Sequence, residues 1–218
     1  MKNSILYIAC ALLFFSCANG QSKQEKALVA VVSPKTGQQV ATFGGGCFWA
    51  THEAMIELKG VDRVISGYSG GNTKNPTYEE VCTETTNHAE TVQVYYDPKV
   101  ISYANLAKAF FNAHDPTQLN RQGPDEGTSY RSIAFYRTPE EKAILQNQIK
   151  EVNESNHYKS KVVTQVVPFK VFYAAENYHQ GYFKLHMDRG YIRSVSLPKV
   201  EKMRKAVKEL LKPEFQKM

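Results

Sequence analysis

The stretch "VATFGGGCFWATHEAMIELKG", residues 40–60, constrains the fold more than any other part of the chain. "VATF" reads as a short strand, and three glycines turn the backbone. From Cys47 onward, Ala50, Ala54 and Leu58 keep the i, i+4 spacing of one helical face until Gly60 stops it. "VDRVISGY" reads as the next strand, followed by the turn-rich loop "NTKNPTYEEVCTETTNH". "AETVQVYYD" then alternates Val92, Val94 and Tyr96 against Gln93 and Tyr95 before Asp97-Pro98 ends it. A helix follows over "ISYANLAKAFFNAH", with Ser102 as N-cap, and then the strand "RSIAFY". "TPEEKAILQNQIKEVNES" opens with a capping box of Thr138, Pro139 and Glu141. "KVVTQVVPF" is a last strand, and an aromatic loop and a basic helix complete the chain. Strand-helix-strand twice over predicts an α+β, ferredoxin-like split β-α-β sandwich. Its mixed sheet has helices on one face, and a loop-rich C-terminal region follows.

At 218 residues the chain suits one domain with a sizeable core. "MKNSILYIACALLFFSC" has one positive charge, Lys2, before an apolar run too short to span a membrane, which is the form of an export signal. Two readings of its end stay open: a lipoprotein site that leaves Cys17 lipidated and anchors the protein to a membrane, or cleavage before Gln21 to give a soluble secreted protein. Both predict a protein of the cell envelope or outside. The organisation expected is a signal over 1–20, a polar tether over 21–38 and a folded domain over 39–218. The formal charge of +6 is dispersed, with no aromatic-interleaved basic motif, so no nucleic-acid partner is expected. The chain is expected to be a monomer.

Apart from Cys10 and Cys17 in the signal, the domain keeps only Cys47 and Cys82, which is no disulfide framework. If Cys47 begins its helix, unsatisfied N–H groups and the helix dipole favour a thiolate there, and the glycines let a substrate approach closely. The histidines are scattered and "HEAMIE" lacks the second histidine of a zinc helix, so no metal is expected.

"GCFW", "GYSGG", "NPTYEEV", "HAETVQVYYDP", "HDPT", "RQGPDEGTSYRS" and "AENYHQ" follow one another between Val40 and Phe183. In that order they resemble the peptide methionine sulfoxide reductases of the A type. The resemblance implies that Cys47 attacks the sulfoxide sulfur, methionine leaves, and the oxygen stays on Cys47 as a sulfenic acid. It implies Glu90 as general acid, with its pKa raised among apolar groups, and Tyr78 and Tyr130 as hydroxyls that hold the sulfoxide oxygen. Phe48 and Trp49 would form an apolar wall for the substrate methyl group, beside Gly46, and Asp125 would help bind the substrate backbone. The S-epimer, in oxidised peptides and proteins or as the free amino acid, is the substrate implied. The reductant implied is external, a thioredoxin-like dithiol or another thiol. His88 and His179 are expected to support the site from behind its reacting groups or to serve the structure alone.

The chain departs from that pattern where many relatives carry resolving cysteines, because "SVSLPKVEKMRKAVKELLKPEFQKM" has none. Regeneration must use Cys82 or an external thiol, and a Cys47–Cys82 disulfide needs Cα atoms within about 7 Å. Asn87 stands where glycine is usual, and asparagine tolerates the left-handed conformation; Ser129 stands where glutamine is common. Two other classes fit the residue types. A cysteine hydrolase would pair Cys47 with His88 or His179 and an orienter such as Asn177, and a non-catalytic lipoprotein would bind oxidised peptides without turnover.

Overall fold

A computed structural model describes residues 31–217; the signal, Cys17 and most of the tether lie outside the described residues. The first unit runs through β1 (Gln39–Gly44), α1 (Phe48–Ile56) and β2 (Val61–Ser69). After α2 (Tyr78–Cys82), the second runs through β3 (Ala89–Tyr96), α3 (Tyr103–Asn112), the small hairpin β4 (Arg121–Gln122) and β5 (Asp125–Glu126), and β6 (Ile133–Tyr136). Then come α4 (Pro139–Glu154), β7 (Gln165–Pro168), β8 (Phe172–Ala174), α5 (Tyr182–Leu185) and α6 (Leu197–Ala206).

The six-stranded sheet has the order β7-β6-β1-β3-β2-β8. Its centre, β6-β1-β3-β2, is antiparallel throughout and is the split β-α-β arrangement expected, with β3 inserted between β1 and β2. The parallel pair β6–β7 makes the sheet mixed. The main core joins Phe43, Val92, Val94 and Tyr96 to Met55, Leu106, Phe110, Leu145 and Met203, so the helices gather on one face. On β3 the predicted alternation holds, but Gln93 and Tyr95 are buried as well. Phe169 and Phe172 pack on the reverse face, and the Tyr95 hydroxyl donates to the Val32 carbonyl.

Three local readings change. Thr77 and Glu80 form a full capping box inside the stretch read as a loop, and α2 results. At α4, Thr138 caps Glu141 N–H as expected, but the Glu141 carboxylate accepts from Arg137 N–H, one residue before the cap. The aromatic stretch after β7 supplies the edge strand β8, which pairs with β2.

Candidate active site

Cys47 is the N-cap of α1, with φ −53° and ψ 125°, and is only 6% exposed. The glycine run is needed for packing against the protein itself. A Cβ on Gly44 would lie 2.6 Å from the Glu90 carbonyl oxygen, and Gly46, at φ +81°, would meet the Gln122 side chain at 2.5 Å. Gly46, expected beside the substrate, does not line the cavity described below and packs against Gln122 of β4.

Glu90 shares the helix-facing parity of Val92, Val94 and Tyr96, which aims it at the start of α1. There its Oε2 accepts from Phe48 N–H at 2.9 Å, filling an N-terminal donor of the helix with a carboxyl group. Burial pushes the Glu90 carboxyl up to about 8, against the lowering pull of Phe48 N–H; nearby Asp125 raises it and contact with Cys47 lowers it. Burial likewise pushes the Cys47 thiol well above its ordinary value, and Glu90 adds to this, outweighing the Trp49 N–H and the Tyr191 hydroxyl. The helix start alone suggests a thiolate; desolvation and a carboxyl at the same helix end reverse that, and the resting sulfur is a thiol.

A cavity of about 440 Å³ opens on this pair, lined by Cys47, Glu90, Trp49, Tyr78, Tyr130, Asp125, Tyr182, Arg189, Gly190, Tyr191 and Ile192. Burial, with the charge of Glu90 second, holds the Tyr78 and Tyr130 hydroxyls above their ordinary range, so both remain donors. The turn Thr128–Tyr130 that carries Tyr130 is fixed by Glu84, which accepts from the Thr128 hydroxyl at 2.5 Å and from Ser129 N–H at 3.0 Å and Oγ at 2.5 Å. Ser129 thus has a packing role of its own here. Asn87 takes φ +58°, as its amide side chain allows, and its carbonyl accepts from Arg131.

Trp49 forms one wall, stacked on Tyr182 at 3.9 Å and edge-on to Tyr191 at 5.7 Å, with Nε1 donating to His179 Nδ1 at 3.1 Å. Phe48 does not share that wall. It is 1% exposed and packs against Tyr68 and His179, so its contribution to the site is its backbone N–H. Cys82 ends α2, exposed and with a free thiol, in hydrogen-bond contact with Tyr78 one helical turn away, and does not line the cavity.

Neither His88 nor His179 lines this cavity. His88 Nδ1 accepts from Gly71 N–H, which leaves Nε2 to donate to the Thr73 carbonyl at 2.8 Å. His179 is held by Trp49 and stays neutral, since burial lowers it to about 4. A cysteine–histidine hydrolase would need one of these rings on Cys47, whereas the side chain in hydrogen-bond contact with Cys47 is that of Tyr191. Among the described residues no group of three or more His, Cys, Asp or Glu side chains is placed to hold a metal ion.

Two further side chains reach the site from the tail. The Tyr191 hydroxyl donates to Asp125 Oδ2 at 2.7 Å and also contacts Cys47, so its single proton can serve either group. The Lys199 ammonium lies 3.6 Å from the same Asp125 oxygen. Neither was read from the sequence: the recognisable motifs stop at Phe183, and a tyrosine and a lysine in a basic helix carry no signal of their own.

The family model "Peptide methionine sulfoxide reductase" matches residues 39–211. The peptide methionine sulfoxide reductase MsrA of Haloquadratum walsbyi is 50% identical over 173 residues, 79% of this chain and 98% of that protein. The MsrA of Saccharolobus solfataricus is 49% identical over 174 residues, 80% of this chain and 97% of that protein. Among solved structures, Mxr1 from Saccharomyces cerevisiae in reduced form superposes with a TM-score of 0.68 at 32% identity, covering 75% of this chain and 94% of that one.

Proposed function

The chain belongs to the peptide methionine sulfoxide reductase family and is an MsrA-type methionine sulfoxide reductase, and from that premise we propose that Cys47 takes the oxygen of an S-sulfoxide while Glu90 moves the proton. The observation that carries this is the placement of a buried thiol and a buried carboxyl together at the start of α1, joined through Phe48 N–H and facing one cavity with two tyrosine hydroxyls.

A sulfoxide sulfur is a poor electrophile until its oxygen gains a proton. Glu90, neutral below about 8, gives that proton while Tyr78 and Tyr130 hold the oxygen, and the charge that develops there meets fixed donors. Sγ of Cys47 bonds to the activated sulfur as its own proton passes to Glu90. The hydroxyl then passes from the substrate sulfur to Sγ: the substrate S–O bond and the transient Sγ–S bond break as an Sγ–O bond forms, leaving methionine, reduced by two electrons, and Cys47 sulfenic acid, oxidised by two. Glu90 ends as it began. Trp49, Tyr182 and Tyr191 offer the methyl group an aromatic wall, and a chiral sulfur between that wall and the oxygen donors fits in one hand.

The sulfenic acid is reduced by an external thiol of thioredoxin type. That thiol displaces water to form a mixed disulfide with Cys47, and a second thiol releases Cys47. Supporting this, the C-terminal tail has no cysteine and Cys82 lies outside the cavity. We place the enzyme in the cell envelope, repairing oxidised proteins there, on the strength of the apolar segment and Cys17.

Cys47→Ser is expected to abolish methionine formation from an S-sulfoxide peptide, and retained turnover would overturn the mechanism. Cys17→Ser is expected to move the protein from the membrane fraction to the soluble one; unchanged membrane association would remove the lipid anchor from the account.

A further inference from the structure

Lys199 is a charged side chain that the reaction as described leaves without a task. It lies on α6, whose neighbouring Val200 and Met203 are fully buried, so the element that carries it is held firmly against the core. Its side chain is only 13% exposed, and among the described residues Nζ has no hydrogen-bond partner. An ammonium has three N–H donors, and burying one costs free energy unless a charge nearby offsets it. The carboxylate paired with it is that of Asp125, with Oδ2 at 3.6 Å, and Nζ also lies 3.5 Å from where a Cβ on Gly46, the residue before Cys47, would stand. Tyr191 donates to the same Asp125 oxygen and touches Cys47. Lysine, aspartate, tyrosine and cysteine therefore form a chain of contacts, two of whose members come from the tail.

We propose that Lys199 is a positioning residue of the reaction, its buried ammonium fixing Asp125 and supplying the positive charge against which Cys47 becomes an anion. This rests on Cys47 being the attacking sulfur. Glu90, on β3, and Asp125, on β5, both oppose charge on Cys47, while the Trp49 N–H and the Tyr191 hydroxyl favour it. Lys199 is an ammonium coupled to Asp125, Cys47 and Glu90 together; its charge, with that of Lys202, also bears on His114, which burial first of all lowers to about 4. Where "SVSLPKVEKMRK" brings no thiol to the site, it brings a cation.

The test is the rate of iodoacetamide modification of Cys47 against pH in the full-length protein, read by peptide mass spectrometry so that exposed Cys82 serves as an internal control. Wild type is compared with Lys199→Met, Lys199→Gln and Lys199→Arg. Loss of a cation at this range raises a thiol by about one unit or more, so Lys199→Met and Lys199→Gln should react about tenfold or more slowly at Cys47 below its midpoint. Cys82 should be unchanged and Lys199→Arg close to wild type. Turnover should fall in kcat by a similar factor, with KM changing less than about threefold, because Lys199 does not line the cavity. A folded Lys199→Met or Lys199→Gln with wild-type Cys47 reactivity overturns the proposal even if turnover is intact. A wild-type protein that reduces no sulfoxide, yet whose Cys47 reactivity depends on Lys199, overturns the reductase mechanism instead.

Discussion

At the scale of single residues the site is an inventory of protons. Cys47 and Glu90 are both kept neutral by the burial that brings them together, so the site holds one proton to give and one to replace it. Glu90→Gln keeps the shape and the bond from Phe48 N–H but cannot donate, and should slow methionine release in a single turnover by about a hundredfold or more. The wild-type rate should fall as pH rises through about 8, where Glu90 loses its proton, and that limb should vanish in the variant. The same group sets a stability trend. Its native pKa, about 8, lies above the unfolded value of about 4.3, so its contribution is full below the latter and is lost as pH rises toward the former. Urea midpoints of wild type should therefore decline relative to Glu90→Gln between about pH 5 and pH 8. Cys47 was legible because nothing else in the chain sets a thiol between a glycine run and two aromatics. Glu90 was legible from the family motif, and strand parity shows why it points inward. The state of the thiol was not, because the helix end predicts one direction and burial, which is tertiary, decides the other.

At the scale of elements, α1 is held from both ends. At its start Glu90 occupies a backbone donor; at its end Glu57, wholly buried, accepts from Arg204 of α6 at 2.8 and 2.5 Å. This clip registers α6, and with it Lys199, against the catalytic helix. Arg204→Met would leave a buried carboxylate uncompensated and should cost about 3–5 kcal/mol, whereas Glu57→Met with Arg204→Met should recover most of it. Urea denaturation of the two single variants and the double variant measures this, and equal losses in Arg204→Met and the double variant would show that the pair does not act as a unit. The regular elements β1 to β3, α1 and α3 were legible from periodicity and caps. Missed were α2, whose Thr77–Glu80 box was readable but sat in a turn-rich stretch, and β8, which exists only because the edge of β2 offers it partners. The Asp125 hairpin is two residues on each side, too short for any pattern to show.

At the scale of the whole molecule, a split β-α-β core supplies the chemistry, and the tail completes the cavity around it with Tyr182, Tyr191 and Ile192. The tail is fastened by side chains and also by backbone, since Lys59 N–H donates to the Leu210 carbonyl and Lys212 N–H to that of Glu57. The core order could be derived from the alternation of strands and helices. The return of the tail to the active site could not, because it depends on contacts such as Tyr191 with Asp125 and Arg204 with Glu57 that join positions far apart in the chain. The central claim, that oxygen passes from substrate to Cys47, is tested most directly by the intact mass of the purified protein. The measurement follows one turnover with an S-sulfoxide peptide in the absence of reductant, with remaining thiols then alkylated. The mechanism predicts one methionine released per chain and one oxygen gained at Cys47, with Cys82 alkylated; methionine released with no oxygen on the protein and both cysteines alkylated would contradict it.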